Sequence, residues 1–485
     1  MACGRSWVLL TTALLVICPA HAQSPNPLGF DAAVGCTADP RAASTVPGWT
    51  IVAGSPTLRC GSALAAVWPP SSPSPRVVIA NGPYGASVLE RLIPLQAAAS
   101  PRRDFTLSAS FAASGKGSGH QVLTGKFLGA SGEQLGATVV LRGPPAAGPN
   151  LPARFEPRSV AGTIPRGAIE IALRLELGGR TGFGRSYIAA LRLDTTPAMT
   201  FPPPVPAPAR VPRFDHVFLI MMENTDYRQV IGDRRNAPFM NSLAARGALL
   251  ANYQAVYHPS DQNYLAIAGG DTFVQGGAYF PDIHLAARNL GDLLETAGES
   301  WKAYLEGMGT PCNVTTRYDK HFEPDDAPFI NFSDIRGDSG RCRAHLVDAN
   351  EWPGDLGRAA TTPVFAWLAA DDYDDGELPG NGSPKSLRVQ DAWLKRTLAP
   401  LFTSPAWRQE RCLLILTWDE SNTTVNNHIA TILVGSRGTV KSGYVSYRRY
   451  DHYSTGRTIE VALGLPSMTN NDAYASALDD AFADH

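Results

Sequence analysis

Two long apolar runs in the second half of the chain each end in a polar, oxygen-rich pair. Asp215 to Met222 leads into Glu223 and Asn224, and Cys412 to Trp418 leads into Asp419 and Glu420. A run with no polar alternation reads as a strand buried on both faces, as in a parallel sheet covered by helices. In such sheets ligands bind in the crevice beyond the carboxyl ends of the strands. Four oxygen-bearing side chains brought together at two strand ends repel one another unless a cation neutralises them. This pattern implies an α/β fold with a cation-dependent site, the cation being divalent and held by Glu223, Asn224, Asp419 and Glu420.

The 485 residues exceed one typical domain, so two or three are expected. Lys plus Arg numbers 42 against 44 for Asp plus Glu, a balance that implies neither nucleic acid nor an acidic membrane as a partner.

The amino terminus has the form of an export leader spanning residues 1–22. Arg5 supplies a positive start, Trp7 to Cys18 is a short apolar core, and Ala20-His21-Ala22 is a small-x-small cleavage site. At about 12 residues the apolar core is too short to span a bilayer. Nothing else reads as a membrane helix, so a secreted or periplasmic protein without stable membrane insertion is expected. Export permits disulfides. The pairings within regions are Cys36 with Cys60 and Cys312 with Cys342, whereas Cys412 opens a buried strand and reads as a free core thiol.

A spacer rich in proline, 197–213, divides the chain. Before it, residues 24–196 carry short alternating runs such as Phe105 to Phe111, Ile169 to Leu177 and Tyr187 to Leu193. Period-two patterning of this kind predicts an antiparallel sandwich. Its layout resembles the galactose-binding type of jelly roll appended to many secreted hydrolases. A structural module and a binder of glycan or of a surface ligand both remain open for it. From 214 to 485 strands alternate with helices. Helices are expected at 236–248, 288–297 and 386–398, and strands at 300–305, 363–368, 412–418 and 430–434. The first region is expected to fold separately and to be dispensable for chemistry.

Between the two acidic strand ends lies His258-Pro259-Ser260-Asp261-Gln262-Asn263-Tyr264. A serine hydroxyl becomes a useful nucleophile when a base or a metal favours its alkoxide. Ser260 ahead of a helix also gains amide donors for an anion, and the Asn263 side-chain amide, one turn on, is placed to donate to a phosphoryl oxygen. Alone, Pro-Ser-Asp reads more readily as a plain helix cap.

Taken together, Met222-Glu223-Asn224-Thr225-Asp226-Tyr227, Asn252-Tyr253, His258-Pro259-Ser260, Asn263-Tyr264, Thr417-Trp418-Asp419-Glu420, Asn427-His428-Ile429 and Asp451-His452-Tyr453-Ser454 resemble the secreted phosphoesterase family. That family contains bacterial phospholipases C and acid phosphatases and belongs to the alkaline-phosphatase-like superfamily. The resemblance spans 214–466. It implies a doubly wound alkaline-phosphatase-like catalytic domain behind the all-β sandwich, hydrolysing phosphate mono- or diesters through a phosphoserine on Ser260. It also implies Glu223, Asn224, Asp419 and Glu420 as metal ligands. Asn263, His428 and His452 are the further catalytic candidates, while His258, next to Ser260, reads more readily as a packing residue than as part of the active site. Two departures stand out. Gln262 replaces a proline, and Asp374 in the acidic loop Asp371 to Gly376 stands where many relatives carry histidine. Either Asp374 replaces that imidazole near the phosphate, or His428 or His452 supplies it. The acidic loop reads equally as solvated or calcium-binding. The rival readings are an inactive secreted glycan-binding protein and a sulfatase. The second lacks its Cys/Ser-x-Pro-x-Arg motif around Ser260.

Overall fold

Alternation in the first region becomes two facing antiparallel sheets. In the computed structural model the described residues run from 46 to 483, apart from 47, 55, 61–76, 81–85, 96–102, 115–119, 146–153, 179–184, 200–205, 207–208, 274–279, 318–320, 379, 381 and 423–426. The leader, Cys36 and residues 200–205 and 207–208 of the proline spacer lie outside them. Ten strands come first: β1 (Thr50–Ala53), β2 (Thr57–Cys60), β3 (Val77–Ala80), β4 (Ser87–Pro94), β5 (Asp104–Ser114), β6 (Gln121–Leu128), β7 (Gln134–Arg142), β8 (Glu156–Thr163), β9 (Glu170–Leu177) and β10 (Arg185–Thr196). They pair in the orders β1-β4-β9-β6-β7 and β2-β3-β10-β5-β8. Along β9 every second residue is buried. Leu89, Phe127, Ile171 and Leu175 of one sheet meet Phe105, Leu107, Phe111 and Ile188 of the other in one apolar cluster. Period-two burial on two inner faces is what holds a sandwich together.

The second region is an eight-stranded mixed sheet. Its strands are β11 (His216–Met222), β12 (Ala248–Leu250), β14 (Trp301–Leu305), β15 (Leu346–Asp348), β16 (Phe365–Ala369), β17 (Cys412–Trp418), β19 (Thr431–Gly435) and β20 (Tyr444–Ser446), while β13 (Tyr253–Gln254) and β18 (His428–Ile429) form a separate ribbon. The order is β15-β14-β16-β11-β17-β19-β12-β20. From β15 to β17 all strands are parallel, and β19 runs antiparallel to β17. The expected helix over 236–248 ends earlier, at Arg246, because Ala248–Leu250 is taken into the sheet as β12. The 386–398 expectation extends to Pro384–Thr403, started by Ser383 accepting from the Ser386 amide and by proline in the first turn.

Strands β11 and β17 are adjacent and in register from His216 opposite Cys412 to Met222 opposite Trp418. Every residue of both strands is buried. Each large aliphatic side chain so buried contributes roughly 1.5–3 kcal/mol. Two such strands offset the several kcal/mol that each buried carboxylate at their ends costs. A disulfide joins Cys312 and Cys342, and Cys412 is a buried free thiol.

Candidate active site

The in-register pairing of β11 with β17 delivers both acidic ends to one place. Asp419 donates its backbone amide to Met222 O at 2.8 Å, and the Asn224 amide donates to Asp419 Oδ1 at 2.8 Å. Asn224 adopts a left-handed backbone, φ 44°, a conformation that asparagine tolerates better than most residues. Its side-chain amide donates to Glu223 Oε2 at 2.7 Å and to Glu377 Oε2 at 2.5 Å. Gln390, buried in the helix Pro384–Thr403, fastens both strand ends. It donates to Thr225 Oγ1 at 3.2 Å and accepts from the Trp418 indole at 3.0 Å. Gly376 packs so closely behind the pair that a Cβ there would lie 2.8 Å from Glu223 O.

Ser260 precedes the helix Asp261–Gly269 but makes no capping bond with its side chain. Its hydroxyl donates instead to Glu223 Oε2 at 3.1 Å. One turn further, the buried Tyr264 hydroxyl donates to Glu223 Oε1 at 2.6 Å. Glu223 therefore meets Ser260, Asn224 and Tyr264 together. His258 Nδ1 lies 2.5 Å from Glu420 Oε2.

These groups open on a cavity of about 430 Å³. Its walls include Glu223, Asn224, Ser260, Tyr264 and Glu420, together with the acidic residues Asp261, Glu323, Asp325, Asp326, Asp372, Asp375 and Glu377. Burial pushes Asp419 up to about 8, with the Glu420 charge adding to it and the Asn224 amide pulling back. Burial likewise lifts Glu420 to about 8. Glu223 stands well above the carboxylate range through burial and through the charges of Asp419 and Asp375.

The arrangement fits a hard divalent cation. The donors at the strand ends are all oxygen. Asp419 is fully buried, and its Oδ2 has no partner of hydrogen-bonding geometry. Such an orphaned carboxylate oxygen is costly unless a cation or proton meets it. Two further acidic groups, Asp326 with Asp372 and Asp375 and Glu306 with Asp371 and Asp374, each bring oxygens within 4.8 Å of one another.

Four expectations need correcting. Asn263 does not face the cavity. It is fully buried, accepts from the Val256 and Tyr257 amides at 3.1 and 2.9 Å, and donates to Tyr257 O and Pro259 O, so its amide is spent on the loop carrying Ser260. His428 stacks on Tyr227 with ring centroids 4.4 Å apart and bonds Ala251 O through Nε2, away from the cavity walls. His452 is fully buried and donates through Nε2 to Trp418 O at 3.0 Å, with burial lowering it to about 4. Asp374 turns away to pair with Arg396 at 2.9 Å, while Asp372 and Asp375 of the same loop face the cavity. Tyr264, Glu377, Asp325 and Asp326 were missed. Only Tyr264, four residues after Ser260 on one helix face, left a usable signal.

Residues 233–466 match the family model described as the phosphoesterase family. The Probable acid phosphatase of Kluyveromyces lactis is 29% identical over 279 residues, covering 55% of this chain and 62% of that protein. The phosphatidylinositol-3-phosphatase of Mycobacterium tuberculosis is 30% identical over 283 residues, covering 57% of this chain and 86% of that protein. A solved protein of the alkaline phosphatase superfamily from Vibrio parahaemolyticus gives a TM-score of 0.41 at 11% identity, covering 56% of this chain and 72% of that one. The chain thus spans about three fifths of the first of these curated relatives.

Proposed function

Because this chain belongs to the phosphoesterase family, we propose that it is an exported, cation-dependent phosphoric ester hydrolase whose nucleophile is Ser260. The observation that carries this reading is the Ser260 hydroxyl leaving its helix cap to face Glu223, beside Asn224 and Asp419. A divalent cation held by Glu223, Asn224, Asp419 and Glu420 supplies, when bound, the charge that favours the Ser260 alkoxide and the phosphoryl oxygens. Ser260 Oγ attacks phosphorus in line, the bond to the leaving oxygen breaks, and phosphoserine forms. Water then displaces the serine and releases phosphate from a monoester or a phosphate monoester from a diester.

None of the histidines proposed from the sequence faces the cavity. The proton for the leaving group is assigned instead to a cavity carboxylic acid. Asp372, pushed up to about 7 by burial and by Glu323 and Glu377, holds one near neutrality. Tyr264 and Asn263 position Glu223 and the serine loop. The same reading assigns 1–22 to a leader, 24–196 to a jelly-roll sandwich, 197–213 to a linker and 214–485 to the catalytic domain. Among the described residues no helix is long and apolar enough to cross a membrane.

The acid phosphatase and phosphatidylinositol-3-phosphatase names of the relatives favour a phosphate ester as substrate. Release of p-nitrophenol from mono- and diester phosphates, with and without a chelator, tests the proposal. Turnover abolished by chelation and restored by a divalent cation is the expected result. A well-folded protein inert toward both esters at every cation tried would instead favour the binding-protein reading.

A further inference from the structure

The carbonyl immediately before Asp419 and Glu420 is held from outside the cavity, by a line of contacts that begins in the β-sandwich. Gly54, in the turn after β1, has φ 73° and sits so tightly that a Cβ there would lie 2.1 Å from Ala86 O. Only glycine fits at this turn, whose carbonyl faces the second region. Arg449 Nη2 donates to Gly54 O at 2.7 Å across 395 residues of sequence. The same guanidinium lies 3.2 Å from Asp451 Oδ2, the two side chains being 10% and 4% exposed. Asp451 in turn caps the helix His452–Leu463, accepting from the Ser454 amide at 3.1 Å. His452, the first residue of that helix, donates to Trp418 O at 3.0 Å. Because that partner is a carbonyl, Nε2 must carry the proton, and the ring acts as a fixed strut.

An exposed ion pair would carry little of this. Here the Arg449 charge is nine-tenths buried against Asp451 and a backbone oxygen, where removal of one partner strands the other. The cap it supports orients the helix whose first residue grips the end of β17. A cavity of about 440 Å³ beside it, lined by Trp49 and Ile51 of the sandwich and by Arg448, Arg449 and Tyr474, marks where the two regions face each other.

We propose that Arg449 is a positioning residue through which the β-sandwich sets the geometry of the Asp419–Glu420 pair. This rests on the reading of those two residues as cation ligands, and it makes the first region a part of the site rather than an appendage.

The test is hydrogen exchange on the full-length, chelator-treated protein, read peptide by peptide, with steady-state kinetics on p-nitrophenyl phosphate alongside. Loss of a hydrogen bond to a charged group corresponds to roughly 10–100-fold in a local opening equilibrium. Arg449→Met is expected to speed exchange by that factor at 449–456 and also at 418–421, and to lower kcat with little change in KM. Arg449→Lys, which keeps a charge but not the fork, should lie between Met and wild type. Faster exchange confined to 48–56 and 449–456, with 418–421 and kcat as in wild type, overturns the proposal. Should Arg449→Met fail to fold, the His452 pair decides. His452→Leu should loosen 418–421, and His452→Gln, which keeps a donor, should restore it; equal behaviour of the two overturns the proposal. If the wild type bound no cation the proposed activity would fail, yet the exchange pattern would still judge the relay.

Discussion

At the scale of single residues the site is a contest between solvation and charge. Glu223, Asp419 and Glu420 are carboxylates that burial drives toward the protonated form, and a cation reverses that preference by favouring the ionised form. The consequence for stability has a definite sign. Burial pushes Asp419 and Glu420 up to about 8 in the folded metal-free protein, against roughly 4 for such carboxyls in the unfolded chain. Their protonation stabilises the fold fully below about pH 4, and that contribution is lost as pH rises toward 8. The thermal midpoint of chelator-treated protein is therefore expected to fall between pH 5 and 8, and calorimetry with saturating cation should flatten that slope. A midpoint that rises with pH in the metal-free protein would contradict the buried-acid account. Tyr264 offers a second check. Its hydroxyl bonds Glu223 Oε1 at 2.6 Å, so Tyr264→Phe should weaken cation affinity about 10–100-fold while leaving the fold intact. Titration calorimetry measures it.

At the scale of elements, what was legible depended on how local the determining physics was. The strand 412–418 is legible to the residue, because seven consecutive positions, apolar except for Thr417 and followed by Asp419, admit few other placements. The Ser260 loop was legible through its position between the two acidic ends. Polar residues whose partners come from distant segments were not. Asn263 and His428 carry the right atoms for chemistry, yet the atoms they meet belong to the 256–259 loop and to Ala251. Nothing in local pattern says whether an imidazole points at solvent, substrate or a carbonyl. Asp325 and Asp326 sit in a short 3-10 turn with no periodicity to mark them. The disulfide belongs to this scale too. Cys312 and Cys342 are 30 residues apart, so closing that loop stabilises by roughly 3–4 kcal/mol in the chain-entropy view. Cys342→Ser should lower the denaturant midpoint accordingly, with no effect on cation affinity, since neither cysteine touches the cavity.

At the scale of the whole molecule the chain joins a sandwich built on period-two burial to a mixed sheet built on continuous burial. The second carries all the residues assigned to chemistry, and the family match at 233–466 falls entirely within it. The central claim is that Ser260, not a water molecule, attacks phosphorus. Its most direct test is the activity of Ser260→Ala on p-nitrophenyl phosphate with cation content measured on the same sample. The hydroxyl makes no capping bond, so the variant should keep its fold and its cation. The rate should nonetheless fall by several orders of magnitude, as when a nucleophile is removed. Retention of more than about a few per cent of wild-type activity, on the same scale of nucleophile loss, at unchanged cation content would contradict the covalent route and leave water as the attacking group.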